Sequence, residues 1–144
     1  MIIHINDIPI QVEISDDHDS RQQGLMKRPT LNPGCGMLFV FPDAADRSFW
    51  MKNTYIPLSI AFIGENDEIL NIEDMHPFDD GNTYSSTPAR CALEMNQGWF
   101  QKNGIHPGDR VSGISQILAT ESISLSRSDL RRIIKEVILK KELI

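Results

Sequence analysis

The sequence contains little cysteine and no long hydrophobic run. The two cysteines, Cys35 and Cys91, lie far apart and fit no spacing typical of a metal site, so they indicate neither a disulfide framework nor a zinc motif. No apolar run approaches the roughly 18–20 residues that a transmembrane helix requires. The first residues lack the basic region, the long apolar stretch and the cleavage site of a secretory signal. We therefore expect a soluble, cytoplasmic protein.

Recognised catalytic and cofactor motifs are absent as well. The sequence has no nucleophile elbow, phosphate loop, dinucleotide fingerprint or zinc motif. The acidic turn at residues 79–82 lacks the spacing of a calcium loop. The methionines lie in apolar patterns that favour core packing over copper ligation. We therefore expect no cofactor and no metal, and we favour a non-catalytic protein.

Charge is distributed unevenly along the 144 residues, whose net charge is −6. Residues 127–144 carry six basic and three acidic side chains, so the preceding residues have a net charge of −9. An acidic body repels nucleic-acid phosphates, which argues against nucleic acid as its partner.

The length is that of one domain. A domain of this size can bury about 68–70% of the surface of its unfolded chain, so it needs no metal or disulfide to hold a core.

Most of the chain shows the alternation and the turn signals of short β-strands. Apolar and polar residues alternate over residues 8–14, after a tight turn at Asn6 and Asp7. Further strands are predicted at residues 37–41, 49–53, 58–63, 69–74, 89–95 and 109–114. The strands at residues 58–63 and 69–74, with a loop signal at residues 64–67 between them, are predicted to form a β-hairpin. Short helices are predicted at residues 16–26, capped by Ser15 or Asp16, and at residues 98–104. This pattern predicts a mainly β protein, a sandwich or a barrel with short helices.

The last residues have a different periodicity. Apolar residues recur at helical spacing from Leu130 to Ile138, after a capping Ser128. The pattern predicts an amphipathic helix over residues 128–144, joined to a β domain of residues 1–114 by a connector over residues 115–127. An isolated helix of this length is marginal in water, so its apolar stripe must pack against the body, a second copy or another protein. Residues 128–143 are therefore a candidate for homo-oligomer formation or partner docking.

Several runs occur in the order typical of one family. They are RQQGLMKR at residues 21–28, GMLFVF at 36–41, FWMKNTYIPL at 49–58, STPA at 86–89, ALE at 92–94 and GIHPGD at 104–109. Together they resemble the signature blocks of the DUF192 (UPF0127) family over residues 8–114. The resemblance implies a compact jelly-roll-like β-sandwich and no established activity.

Two features depart from this family pattern. Family members usually have Asp at the position of Ser59; if that Asp capped a turn, Ser could do the same, whereas if it bound a cation or acted as an acid, this chain would lack that function. The run LRRIIKE at residues 130–136 lies outside the resemblance. It is similar to segments of tailed-phage proteins, which raises a virus-encoded protein in a host cytoplasm as an alternative origin.

The best candidate site is the run from Trp50 to Thr54. Trp50 and Lys52 share one face of the predicted strand, where a ring can stack a ligand and an ammonium can hold an anion. Lys and Asn are poor choices for a strand that only packs. With the polar loop at residues 76–88, this strand would form a cleft for a small polar ligand, a glycan or a peptide. The expected ligand-binding residues are Trp50, Lys52, Asn53, Thr54, Arg28 and Ser86.

Three alternatives remain open at this point. Trp50 could simply pack while Lys52 is solvated. Arg21, Arg28 or Arg90 could hold a ligand's carboxylate, or pair with an internal one from Glu94 or Asp109, and the internal pair is favoured. The protein could instead be a hydrolase that uses Glu94 or Asp109 as an acid/base group, which would require a partner and a shifted pKa. It could also be an interaction protein that docks through its C-terminal helix.

Overall fold

The computed structural model describes residues 1–119. The chain divides into two units between Ser112 and Gly113. The first unit contains nine strands and two short helices. These are β1 (Ile2–Ile5), β2 (Ile8–Ser15), α1 (His18–Gln23), β3 (Cys35–Ala45), β4 (Ser48–Phe49), β5 (Leu58–Ile63), β6 (Ile69–Met75), β7 (Thr83–Tyr84), β8 (Ala89–Asn96), α2 (Trp99–Lys102) and β9 (Val111–Ser112). The mainly β prediction is confirmed.

In the second unit, residues 114–119 are helical. They include the first residues of the predicted connector. The predicted amphipathic helix at residues 128–144 lies outside the described residues.

Seven strands form one curled sheet in the order β6-β5-β8-β3-β2-β1-β9, and β4 pairs with β7 in a second, two-stranded sheet. The large sheet is mixed, because β2 and β3 are parallel and its other neighbours are antiparallel. A bridge between Glu68 and Arg110 joins the starts of the two edge strands. Backbone bonds reinforce it, among them Ile69 N–H to the Asp109 carbonyl at 2.9 Å. The sheet therefore curls towards a barrel at this end.

The predicted hairpins are present. Asn6 and Asp7 both have positive φ, 49° and 65°, and connect β1 to β2 with Ile5 opposite Ile8. Such a turn matches the right-handed twist of the strands that it joins. Asp67, with φ of 60°, lies in the turn between β5 and β6.

The N-cap of helix α1 lies one residue after Asp16 and two residues after Ser15, the two predicted caps. Asp17 is the N-cap, and its carboxylate accepts a hydrogen bond from Ser20 N–H at 2.7 Å. This bond lowers the pKa of Asp17. Ser15 instead ends β2, where its hydroxyl donates towards Met37 Sδ at 3.2 Å, and Asp16 is exposed. The prediction of Ser15 or Asp16 as cap is therefore wrong.

The predicted strand at residues 49–53 is also wrong beyond Phe49, because the chain turns after β4. The backbone in this turn bonds to other segments. Met51 N–H donates to the Asp79 carbonyl, and Lys27 N–H donates to the Asn53 carbonyl at 2.8 Å. Asn53 also has a φ of 53°, which a strand does not permit. Trp50 and Lys52 are therefore neighbours in a turn and not on a strand face.

One apolar cluster covers the face of the large sheet on which the Glu94 side chain lies. Its members come from β3, β5, β6, β8 and the loops beside α1 and β4; they are Leu25, Met37, Phe39, Met51, Ile56, Leu58, Ile60, Phe62, Met75, Ala89 and Ala92. Strand β8 lies between β3 and β5, with Glu94 opposite Met37 on one side and Ile60 on the other. Side chains of paired residues share a face of a sheet. The chain thus places one carboxyl side chain in an apolar face.

Candidate functional site

The site is a cleft of about 370 Å³ beside this apolar face. Helix α1 and the loop after it form one wall, the segment around β4 forms another, and residues of β3, β5 and β8 complete it. Its polar and charged side chains are His18, Arg21, Gln22, Gln23, Arg47, Ser48, Thr54 and Glu94. The remaining lining includes the aromatic rings of Phe39, Phe41, Phe49 and Trp50.

Glu94 is the side chain in this cleft that local packing does not explain. It is 4% exposed, and no hydrogen bond or ion pair joins its carboxyl to residues 1–119. Among those residues, no fully enclosed polar side-chain atom lacks a partner. The unpartnered carboxyl of Glu94 must therefore reach open space, and the cleft is the space that Glu94 lines.

Burial raises the pKa of Glu94 to about 8. The physical cause is desolvation, which disfavours the charged form of a carboxyl group. At neutral pH the side chain is mostly a neutral acid. It can then donate one hydrogen bond and accept others.

Two arginines bring positive charge to the same cleft, and both lie over the ring of Phe41. The guanidinium carbon is 3.9 Å from the ring centroid for Arg47 and 5.2 Å for Arg21. Arg21 also donates to the Val40 carbonyl at 2.9 Å, and Arg47 donates through Nε to the Ala89 carbonyl at 3.2 Å. These contacts fix the two groups before any ligand arrives.

The positive groups and the carboxyl occupy different parts of the cleft. Arg47 is held at the Ala89 carbonyl, whereas Glu94 lies five residues further along β8, roughly 16 Å away at the rise of a strand. Arg47 does have an acidic neighbour, since its Nη2 lies 3.0 Å from the carboxylate of the exposed Asp43. The cleft therefore has an acid in one part, cations in another and aromatic side chains along its walls.

The structure brings four of the six predicted site residues together. Trp50 and Thr54 line the cleft, while Trp50, Lys52 and Asn53 line a neighbouring depression of about 530 Å³. Lys52 Nζ lies 5.1 Å from the centroid of the Trp50 ring, a cation–π contact. Trp50 is 43% exposed, so it borders both spaces.

The other two predicted site residues lie elsewhere. Arg28 forms a two-pronged ion pair with Glu13, with one N–O distance of 3.0 Å, and this pair raises the pKa of Arg28. It lines a separate pocket that also contains Cys35. The backbone N–H of Ser86 donates to Asn71 Oδ1 at 3.0 Å, and Ser86 lines neither the cleft nor the depression beside it.

The buried Ser59 forms hydrogen bonds outside the cleft. Its hydroxyl donates to Asp74 Oδ1 at 2.7 Å and accepts from Gly98 N–H at 3.0 Å. The second bond joins the loop before α2 to β5. Ser59 therefore does what a turn-capping residue does, and an Asp at this position would face the carboxylate of Asp74.

Asp109 also lies outside the cleft. Its carboxylate accepts hydrogen bonds from His106 N–H at 2.8 Å and from Asn6 Nδ2 at 3.1 Å, which lower its pKa. It stabilises the turn before β9. In the described part of the chain, no group of three or more His, Cys, Asp and Glu side chains is placed to hold a metal ion.

Sequence reasoning missed part of the site. It weighed Glu94 as a catalytic acid or as the internal partner of an arginine, and Arg21 as a group for a ligand's or an internal carboxylate. It did not single out Arg47. One signal was available for Glu94, since it is a lone acid in the strand pattern ARCALEMN. No comparable signal exists for Arg47, whose position over Phe41 depends on how β3 and β4 turn.

Comparisons with known proteins give a family and a fold. The family model DUF192, described as "Uncharacterized ACR", matches residues 1–113. The crystal structure of a protein described as a candidate transcription regulator from Sinorhizobium meliloti 1021 is similar, with 38% identity and a TM-score of 0.72 over 74% of this chain and 83% of that one. A protein of unknown function from Novosphingobium aromaticivorans DSM 12444 shows 30% identity and a TM-score of 0.75, over 78% of this chain and 84% of that one.

No curated protein matches the chain. Among the residues that the structure describes, none of the helices has the length and apolarity to cross a bilayer.

Proposed function

The chain belongs to the DUF192 family of uncharacterised proteins, and we propose that its β domain is a non-catalytic binding module for a small organic anion. The observation that carries this proposal is the pair of guanidiniums, Arg21 and Arg47, held over Phe41 in the cleft. Arginine binds carboxylate and phosphate groups through parallel hydrogen bonds. Because both side chains are already fixed by backbone carbonyls, binding costs little of their rotamer freedom.

The dimensions and lining of the cleft favour a small ligand over a glycan chain or a long peptide. Its volume of about 370 Å³ lies at the lower end of the range for small-molecule sites. Aromatic rings offer an apolar wall, and the half-exposed Trp50 can stack on the part of a ligand that protrudes. Lys52, beside Trp50, adds a positive charge at this border, besides those of Arg21 and Arg47 in the cleft.

The hydrolase alternative has less support from this geometry. A glycosidase-like mechanism uses two carboxyl groups that flank one bond. Glu94 is the single carboxyl side chain among the described residues that line the cleft, and Asp109 stabilises a turn elsewhere. A regulator of the kind named for the Sinorhizobium relative would meet nucleic acid through a body with excess negative charge, which opposes binding to phosphates.

Native mass spectrometry of the gently purified full-length protein tests the proposal. We expect a measured mass above the 16.3 kDa of the chain, from a retained small molecule, or saturable binding of added hexanoate. Arg47→Gln should weaken binding at least tenfold, because about 1.4 kcal/mol corresponds to a factor of ten and a charge-assisted bond contributes that much. Arg110→Gln, which changes an exposed arginine outside the cleft, is the matched control. A clean mass, together with no saturable binding of short-chain carboxylates at millimolar concentrations, would contradict the proposal.

A further inference from the structure

The unpartnered carboxyl of Glu94 indicates which chemical group of a ligand would bind beside it. An apolar side chain at this position would suit its cross-strand neighbours Met37 and Ile60. A buried polar group without a partner has a cost that a ligand can remove by bonding to it. Glu94 is thus a polar group in the cleft that is available to a ligand.

Among residues 1–119, no charged side chain pairs with Glu94. The ionisable side chains that line the cleft besides Glu94 are His18 and Arg21 on α1 and Arg47 before β4, and none of them forms a hydrogen bond or an ion pair with the Glu94 carboxyl. The flanking residues on β3 and β5 are apolar. A cation at Glu94 must therefore come from the ligand.

A primary ammonium group fits this position better than a hydroxyl or an amide. It supplies three hydrogen-bond donors and the opposite charge. The Phe39 and Phe49 rings, which line the cleft with centroids 4.9 Å apart, offer aromatic surface to a cation or to the methylene group beside it. A neutral ligand group can bond only to the protonated carboxyl at little cost, whereas an ammonium group also stabilises the ionised form by pairing with its charge.

We propose, on the basis of the binding function proposed above, that the ligand is an ω-amino acid, a short organic zwitterion. Its ammonium group pairs with Glu94, its anionic group contacts Arg47 and Arg21, and its methylene chain lies along Phe39 and Phe49. Arg47 bonds to the Ala89 carbonyl and Arg21 to the carbonyl of Val40, which lies opposite Cys91, so the two guanidiniums are held five and three positions from Glu94 along β8. At about 3.3 Å per residue this separation requires a spacer between the charged groups of the ligand. An α-amino acid, whose ammonium and carboxylate groups are attached to the same carbon, is too short to reach both ends.

This mode of binding has a defined proton balance. Below the pKa of Glu94 the free carboxyl holds a proton, while an aliphatic ω-amino acid already carries its ammonium charge. Forming the ion pair therefore releases one proton from Glu94 to solvent, and no covalent bond changes. Affinity should rise about tenfold for each pH unit from pH 6 to pH 8 and then level off.

Isothermal titration calorimetry with matched probes tests the inference. The probes are 6-aminohexanoate, hexanoate and hexylamine, with 4-aminobutanoate and 8-aminooctanoate to vary the spacer. In buffers of different ionisation enthalpy, we expect close to one proton released per 6-aminohexanoate at pH 6.5 and none per hexanoate. We also expect one spacer length to bind at least tenfold more tightly than hexanoate at pH 8.

Glu94→Gln identifies the group responsible, with the exposed Glu65→Gln as the control. The Glu94 variant should lose the preference for the amine and the proton release, while its binding of hexanoate persists and shows that the cleft is intact. Hexanoate binding as tightly as every ω-amino acid, with no proton release, would overturn the inference and leave the proposed function standing. If no anionic probe binds, both are overturned.

Discussion

At the scale of single residues, a buried carboxylic acid dominates the chemistry of this protein. Glu94 lies on a central strand, with its pKa raised to about 8 by burial. Perturbed pKa values of this kind cluster at functional sites, because a protein that only packs gains nothing from an acid in its core. The same property makes Glu94 a source of pH-dependent stability.

The sign of that dependence follows from the two pKa values. In the unfolded chain Glu94 ionises near pH 4.5, whereas in the folded protein it holds its proton until about pH 8. The unfolded state therefore gains an advantage between these values, and the free energy of unfolding falls by about 1.4 kcal/mol per pH unit from this group. Below pH 4.5 and above pH 8 its contribution is constant.

We predict that Glu94→Gln removes this slope. Other groups titrate equally in both proteins, so the difference between the variant and the original chain isolates Glu94. Urea unfolding at pH 5, 6.5 and 8 should show the variant gaining stability relative to the original protein as pH rises. Parallel pH profiles of the two proteins would show that Glu94 is not buried as described.

Trp50 supplies a second prediction at this scale. Since it is 43% exposed, Trp50→Ala should change the free energy of unfolding by less than about 1 kcal/mol and weaken ligand binding several-fold. Tyr84→Ala, at a residue that is 64% exposed and outside the cleft, is the control for lost aromatic surface. Urea unfolding and calorimetry measure the two effects. Unfolding of the Trp50 variant would mean that the ring is structural.

Only part of the residue-scale picture was predictable from the sequence. The contact of Lys52 with Trp50 was predictable, because only Met51 separates the two residues and they remain neighbours in a turn as in a strand. The position of the two guanidiniums over Phe41 was not predictable, since that contact brings together α1, β3 and the residue before β4. Likewise, the sequence does not show that Arg28 is occupied by Glu13.

At the scale of elements, the close approach of β3 to β8 positions Glu94. Gly36 lies on β3 beside the backbone of β8, where an added Cβ would be 2.6 Å from the Glu94 carbonyl oxygen and would overlap Met95. A glycine in a strand often marks such an approach of another chain segment. The pairing that presents Glu94 to the cleft therefore depends on the absence of a side chain at Gly36.

We predict that Gly36→Ala destabilises the protein by roughly 1–3 kcal/mol, the usual cost of overpacking. Gly64→Ala is the matched control, because its nearest contact is the side chain of Leu70 at 3.2 Å, which can move. Chemical denaturation compares the two variants. Equal stability of both would contradict a tight approach between β3 and β8.

Local chemistry explains which elements the sequence predicts. The β1–β2 turn and the β5–β6 hairpin were predicted from short-range signals, since turn residues and alternation act within a few positions. The prediction of a strand at residues 50–53 was wrong. The sequence does alternate there, but the backbone of this segment bonds to Lys27 and Asp79 and not to a neighbouring strand. The cap of α1 was wrong by one or two residues, where several polar side chains compete.

At the scale of the whole molecule, the mainly β fold was predictable and its closure was not. Short strands with regular turn signals indicate a sandwich or barrel, but only the bridge between Glu68 and Arg110 shows where the sheet edges meet. The predicted domain of residues 1–114 resembles the extent of the family match, residues 1–113, and the first compact unit, Met1–Ser112. The docking role of residues 128–143 stays a prediction.

Deletion of residues 124–144 separates the two parts of the account. We predict that the shortened chain keeps a cooperative thermal transition and binds anionic probes as the full chain does, since every residue of the proposed cleft lies in the first unit. Size-exclusion chromatography should at the same time reveal any oligomer that the C-terminal residues hold together. Aggregation of the shortened chain would show that these residues cover its own apolar surface.

The protonation state of Glu94 in the presence of a ligand tests the central claim most directly. Carbon-13 NMR of glutamate-labelled protein, with the Glu94 resonance assigned through Glu94→Gln, reports this state at pH 7. The account predicts a neutral carboxyl in the free protein that becomes ionised when 6-aminohexanoate or a homologue of another spacer length is added, and stays neutral with hexanoate. A resonance that no anionic probe shifts, or one already ionised in the free protein, would contradict it.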